Sequence, residues 1–260
     1  MNHISVIQWI CGALAVIATL VGLGFFTRAC LTIANRFRLG APVDRQRLHP
    51  VGKRLKTLLV KVLCHQDFKG RPWIRIAHWL VMVSFPILFF TLVTGYAQIF
   101  SPDWALPLIG HFPPWEWLVE FIALASTIAI IGLIVVRSVN TAHGRKSRFT
   151  GSTRWQARFV EATIVAVVGC VDLLRVAESA WLSAAQHEQS ASWVHFPIFG
   201  WLGRPLGQGA NPDTLANVIA VLALVKILCS MTWFVIVGLQ PSMGVAWHRF
   251  LAFITSYARK

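Results

Sequence analysis

The sequence predicts an all-α integral membrane protein, a five-helix bundle with the N-terminus outside and the C-terminus in the cytoplasm. Hydrophobic residues make up 56% of the 260-residue chain, above the roughly 45–50% of soluble domains. The formal net charge is +14, and most Lys and Arg residues lie between the apolar stretches. This distribution argues against a nucleic-acid-binding surface. We therefore expect one membrane domain over residues 1–260.

Five stretches are long and apolar enough to cross a bilayer, which takes roughly 20 residues of helix. We expect helices because lipid offers no hydrogen-bond partners to an exposed backbone. The five predicted spans cover about residues 5–27, 76–100, 115–136, 159–182 and 215–239.

The orientation follows from the basic residues. Regions 28–75 and 137–158 together hold eighteen of the 24 Lys and Arg residues. The positive-inside rule places both regions in the cytoplasm. The N-terminus is then outside, and Arg249 near the end of the chain agrees with a cytoplasmic C-terminus.

The first cytoplasmic region contains a predicted amphipathic helix over about residues 51–64. Apolar residues such as Val51, Leu55 and Leu58 recur at helical spacing opposite Lys53 and Lys56. Such a helix lies at the membrane surface. It either anchors the chain through anionic lipids or offers a docking surface to an acidic cytoplasmic partner, and the sequence leaves both open.

Two histidines stand at the same membrane margin of different spans. His78 opens the second span, and His248 follows the fifth. Two neutral imidazoles at one depth are the usual axial ligands of a haem in a membrane bundle, although each ring could instead be an ordinary interfacial side chain. Arg75 and Arg249 are candidate partners for haem propionates. His65, in the basic loop before the second span, is a weaker candidate for contact with the cofactor and could equally be a solvated loop histidine.

The fifth span raises a problem of length. A continuous helix from residue 215 to His248 would overrun a hydrocarbon core of roughly 30 Å. The helix must tilt, begin outside, or bend near Pro241. If Lys226 lies deep, it needs a buried partner, for which Asp172 and Glu178 are candidates.

The outer side also carries titratable residues. His111 and His195 lie in the two outer loops, and Glu116 and Glu120 follow the first of them at helical spacing. Each histidine is either part of an aromatic interface belt or a proton exit for quinol chemistry. Glu120 enters a span, where an ionisable residue indicates a functional role.

The order of several segments resembles the membrane cytochrome b module of the nitrate-reductase gamma-subunit-like family. The chain looks still more like the membrane part of bacterial heterodisulfide-reductase-like iron–sulfur oxidoreductases. The segments that carry this resemblance are RLKTLLVKVLCH, AHWLVMVSF, VVRSVN, RFTGSTRWQARFVE and SMTWFVIVGLQPSMGVAWHRFLAF. The resemblance implies five spans in a bacterial cytoplasmic membrane, with His78 and His248 as axial ligands of haem b. It further implies electron transfer between membrane quinone and a cytoplasmic iron–sulfur protein, or an iron–sulfur domain fused to this chain.

The chain departs from the two-haem members of that family. Leu88 and Ser230 stand where those members have the second pair of histidines, and neither side chain is a haem ligand of the usual kind. Met82 and Met243 are possible substitutes, but a methionine on a packed helix is more often core. The residues therefore predict one haem b and not two.

Two other functions stay open at the level of sequence. The chain could be a haem-free membrane anchor of a redox complex, which tethers a partner through its basic loops. It could also be a transporter that uses Lys226, Asp172, Arg175 and Glu178, although no internal repeat supports this.

Overall fold

The computed structural model describes residues 4–40, 49–64, 70–144, 152–187 and 189–258. All regular secondary structure within these ranges is helical. The helices are α1 Val6–Arg38, α2 Val51–Cys64, α3 Pro72–Gln98, α4 Pro113–Ala142, α5 Arg154–Ala184, α6 Gly200–Gly207, α7 Pro212–Leu239 and α8 Gly244–Ala258.

Four of the described helices, α1, α3, α4 and α7, are long and apolar enough to cross a membrane. The chain is therefore a multi-pass membrane protein. The remaining predicted span, α5, is 31 residues long, but Asp172, Arg175 and Glu178 interrupt its apolar character. Its composition is therefore not apolar enough for it to count as a membrane span beside the other four helices.

The long helices run between two ends of a bundle. We call the end formed by residues 99–112, 185–187 and 189–211 the loop end, and the end formed by α2 and α8 the basic end. The α1 helix begins at the loop end, where the Ser5 hydroxyl bonds to Asn217 and the Gln8 amide donates to Phe100 O at 3.4 Å. A capping box of Ser5 and Gln8 fixes this first turn.

The α7 helix lies between α1, α3 and α5. Its approach to α1 is close because the contact uses glycine. A Cβ atom on Gly238 would lie 2.6 Å from the Phe25 carbonyl group, and one on Gly22 would lie 3.1 Å from Met231 Sδ. In lipid, where helices gain little from hydrophobic burial, small residues allow the backbones to pack closely.

A break at Pro241 separates α7 from α8. The sequence left tilt, an early start and a bend as alternatives, and the structure has the bend. The turn is held by a Met243 N–H donated to Gln240 O at 3.0 Å and by Trp247 Nε1 donated to the same oxygen at 3.2 Å. The break turns α8 back onto the bundle, so that His248 does not continue away along the axis of α7.

The short helix α6 was not predicted from the sequence. It packs on α5, where a Cβ atom on Gly203 would overlap Val176 O and one on Gly207 would overlap Ala180 O. The sequence signal for this contact was the spacing of Gly200, Gly203 and Gly207, which are three and four residues apart. The α6 helix thereby fixes the long connection between α5 and α7 against α5.

The α2 helix occupies the residues for which the sequence predicts an amphipathic helix. Arg54 Nη1 donates to Tyr257 O at 3.1 Å and so joins α2 to α8. Val51, Leu55 and Leu59 form an exposed apolar stripe along α2. Contact of this stripe with lipid stays a prediction.

Candidate functional site

The imidazole rings of His78 and His248 lie side by side at the basic end. Their centroids are 6.4 Å apart, and their planes are inclined by 43°. His78 comes from α3 and His248 from α8, which the turn at Pro241 brings back against the bundle. Since an imidazole nitrogen ligates a metal at about 2.0–2.1 Å, two rings on opposite sides of one metal atom have centroids about 6 Å apart. The observed spacing fits two ligands of a single metal atom.

The tautomer and the protonation state of His248 both suit a metal ligand. Its Nδ1 lies 3.3 Å from Gly244 O, which favours a proton on that nitrogen and leaves the lone pair on Nε2. Part of the side chain stays exposed. Even so, burial by the surrounding protein, and then the Arg249 cation, lower the pKa of His248 below the ordinary value. The neutral form, which is the one that ligates metals, is therefore favoured.

The histidine pair would supply two protein ligands to a metal atom. Within the described ranges, no group of three or more His, Cys, Asp or Glu side chains is placed to bind a metal ion. Structural metal ions usually take four protein ligands, and catalytic zinc takes three. A haem iron needs only two axial ligands, because the porphyrin supplies the other positions.

An apolar groove begins beside the histidine pair and runs along α3 and α7. Val81, one turn after His78, and Arg249, the residue after His248, both line it. Its empty space, which includes the open side, is about 690 Å³. Leu88 and Ser230 also line the groove.

One charged group lines this groove. The Arg249 guanidinium lies 5.5 Å from the centroid of the Phe85 ring and 5.9 Å from that of Trp233. Burial lowers the pKa of Arg249 to about 10, so the cation persists at neutral pH. A carboxylate in the groove would give this cation a partner. Trp233 Nε1 is buried and has no hydrogen-bond acceptor among the described residues.

The two other candidates for cofactor contact differ from Arg249. Arg75 lies one turn before His78 with an exposed side chain, and Arg249 rather than Arg75 is among the residues that line the groove. His65 lies outside the described residues.

A second cluster, at the loop end, is centred on Arg175. Its Nε donates to Glu120 Oε1 at 3.0 Å, and its Nη1 donates to Glu178 Oε2 at 2.8 Å. The other oxygen of Glu120 accepts the backbone N–H groups of Ile198 at 2.8 Å and Phe199 at 3.2 Å. All three charged side chains are buried. The cluster therefore ties α4, α5 and the segment before α6 together.

The titratable residues that the sequence placed in the outer loops meet at this cluster. His195 Nδ1 lies 2.6 Å from Glu116 Oε2, and His111 Nδ1 lies 3.9 Å from Glu116 Oε1. The side chain of Glu116 is 7% exposed, whereas those of His195 and His111 are 27% and 68% exposed. Glu116 thus connects the interior to two surface histidines.

Lys226 is buried in the middle of α7, with 1% of its surface exposed. Its Nζ donates to Thr91 O at 2.7 Å, so its hydrogen-bond acceptor is a main-chain carbonyl and neither of the carboxylates named from the sequence. Asp172 instead accepts from Thr127 Oγ1 at 2.7 Å. Glu178 does share a cavity with Lys226.

Sequence reasoning missed several residues of these sites. Thr91 contributes through its carbonyl, which no side-chain pattern reveals, and Gly95 makes room for the lysine. Trp233 resembles any interfacial tryptophan in the sequence, and only the fold shows its N–H group without a partner.

Comparisons of the chain with protein-family models, with curated proteins and with solved structures gave no match. The arrangement of the residues alone therefore carries the functional argument. One end has two imidazoles at metal-sharing distance beside an apolar groove. The other has a buried ionic cluster that reaches the surface.

Proposed function

We propose that the chain is a cytochrome b-type membrane subunit in which His78 and His248 are the two axial ligands of one haem b. The single observation that carries the proposal is the 6.4 Å spacing of the two rings, which come from different helices. With both axial positions filled by histidine, such a haem transfers single electrons and leaves no open position for oxygen.

The groove supports this assignment with groups of the chain itself. Arg249, which lines the groove, would pair with a carboxylate of the haem edge, and the apolar walls would keep water from the porphyrin. Arg75 is a second, more exposed candidate for a propionate. Where water is excluded, the attraction between the Arg249 cation and a negative charge in the groove is stronger.

The residues support one haem and not two. Leu88 and Ser230 line the same groove, but a leucine has no donor atom, and the Ser230 hydroxyl is bonded to Lys226 O at 2.9 Å. Met243 is fully buried in an apolar cluster with Trp233 and Trp247, which is the environment of a core residue.

We infer five spans, namely α5 together with the four apolar helices. Most of the charges that lower its apolar content are compensated: Arg175 is paired with Glu120 and Glu178, whereas Asp172 accepts one hydrogen bond from the neutral Thr127 hydroxyl. Paired ionisable residues that face the interior of a bundle are tolerated in a membrane. The positive-inside rule then places the basic end in the cytoplasm, with the N-terminus outside and the C-terminus inside.

On this topology the haem lies near the cytoplasmic side of a bacterial inner membrane. We propose that electrons pass between membrane quinone and a cytoplasmic iron–sulfur protein, or an iron–sulfur domain fused to the chain. The exposed Lys53 and Lys56 of α2, which is joined to α8 through Arg54, lie where such an acidic partner would dock.

The test is the haem content of the purified protein and of histidine variants. Protein expressed with ample haem should contain one haem b per chain, with the optical and EPR signals of two histidine ligands. His78→Ala and His248→Ala should each lose that signal. His143→Ala, a control at an exposed histidine after α4, should keep it.

Replacing one histidine by another haem ligand controls for an alanine variant that loses haem only because it misfolds. His78→Met should retain haem with one histidine and one methionine ligand, which raises the reduction potential. Absence of haem from the fully loaded protein, or an unchanged spectrum in both alanine variants, would overturn the proposal. In that case, partner activity that survives His78→Ala identifies a haem-free anchor.

A further inference from the structure

We propose that the cavity at the loop end binds the ring of the quinone, with Lys226 bound to a ring oxygen, Glu178 exchanging its proton, and Glu116 with His195 connecting that proton to the outside. This inference rests on the proposed function, because it names where the quinone of that function binds. It assigns roles to four side chains that the haem does not use.

The cavity lies between α3, α4, α5 and α7 and is roofed by the loop after α3. Its empty space is about 520 Å³, counted to its open side, and Lys226, Glu178, Arg175 and Glu116 all line it. Trp104 in the roof and Trp115 at the start of α4 add aromatic surface to the wall. The cavity thus combines an aromatic wall, which suits a planar ring, with charged groups that suit its two oxygens.

Lys226 is the group built to bind an oxygen atom of a ligand. An ammonium group has three N–H donors, and the structure uses one of them, on Thr91 O. Gly95 leaves space for the ammonium, because a Cβ atom there would lie 3.1 Å from Lys226 Cε and 3.2 Å from Nζ. A buried cation with spare donors beside a cavity is costly unless a ligand or water completes its hydrogen bonds.

Glu178 supplies a proton acceptor across the same cavity. Its Oε2 binds Arg175 Nη1 at 2.8 Å, which holds the carboxyl group in place and leaves the second oxygen for another partner. Arg175 is itself fixed by Glu120 and by the His195 carbonyl. The carboxyl group of Glu178 is therefore oriented by a rigid network and is not free to turn away from a ligand.

Glu116 and His195 connect the cavity to the outer surface. Glu116 lines the cavity and lies 2.6 Å from His195 Nδ1, and the His195 side chain is partly exposed. Three carboxylates, Glu116, Glu120 and Glu178, adjoin two buried cations, Arg175 and Lys226. This excess of acidic groups lets the cluster hold a proton taken from a ligand.

The cavity also adjoins the groove proposed for the haem. Thr91 lines the cavity and Leu92 lines the groove, and these two residues are neighbours on α3. On α7, Ser230 in the groove donates to the carbonyl of Lys226 in the cavity at 2.9 Å. A ring in the cavity is therefore separated from the groove by about one turn of helix, or roughly 5 Å along the axis.

The chemistry balances as follows for oxidation. Two O–H bonds of the hydroquinone break, and both ring oxygens become carbonyl oxygens. The two protons pass to Glu178 and Glu116 and leave through His195. The two electrons pass one at a time to a one-electron iron centre, the acceptor class of the proposed function. Reduction of the quinone takes the reverse route, with protons entering at the loop end.

The test measures binding of a ring and does not depend on turnover. A short-chain naphthoquinone is bound to the purified protein at equilibrium, and its dissociation constant is compared among variants. Lys226→Met should weaken binding about tenfold or more, because it removes a hydrogen bond from a charged donor. Gly95→Ala, which displaces the ammonium group and leaves the lysine in place, should weaken binding in the same direction.

Arg38→Met is the control, since Arg38 lies exposed in the last turn of α1, away from the loop end, and this variant should bind within twofold of the wild type. Equal binding by wild type and Lys226→Met, or no binding of the ring to haem-loaded wild type, would overturn the inference. His78→Ala separates the two proposals. If His78→Ala lacks haem and still binds the naphthoquinone, the haem site and the quinone site are both supported. If neither the wild type nor any variant contains haem, but Lys226→Met still weakens naphthoquinone binding, only the haem assignment fails.

Discussion

The rings of His78 and His248 lie 6.4 Å apart, although three long helices separate the two residues in the sequence. This relationship depends on the turn at Pro241, which brings His248 of α8 beside His78 of α3. Trp247 fixes the turn through its hydrogen bond to Gln240 O and stacks on Phe26, with ring centroids 5.5 Å apart. The position of His248 is thus set by a residue that does not itself contact the proposed haem.

Trp247→Phe should loosen the histidine pair. It keeps an aromatic ring against Phe26 but loses the N–H group that binds the Gln240 carbonyl, at a cost of about 1 kcal/mol in the free energy of unfolding. We expect weaker haem retention during dialysis and a broader EPR signal. Trp155→Phe serves as a control, because Trp155 is exposed at the start of α5. Retention equal to that of the wild type in both variants would show that the turn does not position His248.

A second pair of histidines should create a second haem site. Leu88→His combined with Ser230→His introduces histidine at two positions that line the groove. We expect two haems per chain in the double variant and one in each single variant, measured as pyridine haemochrome per protein. One haem in the double variant would mean that the two positions do not approach closely enough to share an iron atom.

Arg175→Met should be strongly destabilising. It leaves Glu120 and Glu178 buried without their cationic partner, and breaking a buried ion pair in this way costs about 3–5 kcal/mol. Thermal unfolding in detergent measures the effect. Arg204→Met, at an exposed arginine of α6, should unfold at the temperature of the wild type. A small effect of Arg175→Met would indicate that the two glutamates are protonated in the native state.

Gly203→Ala should detach α6 from α5. The added Cβ atom would overlap the Val176 carbonyl, and overpacking of this kind costs about 1–3 kcal/mol. Limited proteolysis should then cut the segment before α6, between residues 189 and 199, faster than in the wild type. Gly132→Ala is the control, because a Cβ atom on Gly132 meets nothing within 4 Å. Unchanged proteolysis in Gly203→Ala would show that α6 does not depend on the close contact.

Glu116→Gln should separate ring binding from proton exchange. Glutamine keeps the size of the side chain but cannot carry a proton from the cavity to His195. In proteoliposomes that oxidise a short-chain quinol, we expect naphthoquinone binding near that of the wild type and slower proton release at the loop end. Asp103→Asn, at an exposed loop residue, should change neither. Wild-type proton release in Glu116→Gln would remove Glu116 from the route.

The sequence was informative wherever a property repeats along a helix. Long apolar runs predicted the long helices. Apolar residues at helical spacing, with lysines on the opposite face, predicted α2 at Val51–Cys64. This reasoning was weaker for the predicted span over 159–182. The α5 helix is long enough to cross a membrane, but Asp172, Arg175 and Glu178 make it less apolar than the four candidate spans. Whether such a helix lies in lipid depends on partners on other helices, which its own composition does not show.

By itself the sequence determined the helical architecture and the residue types available for chemistry, because backbone hydrogen bonding in lipid forces long apolar segments into helices. The tertiary structure alone decided which of those residues meet. It brought His78 to His248, gave Lys226 a carbonyl group of Thr91 in place of a carboxylate, and joined Glu116 to His195. These contacts join residues far apart in the chain, and they depend on helix breaks and glycine contacts that fix how the helices pack.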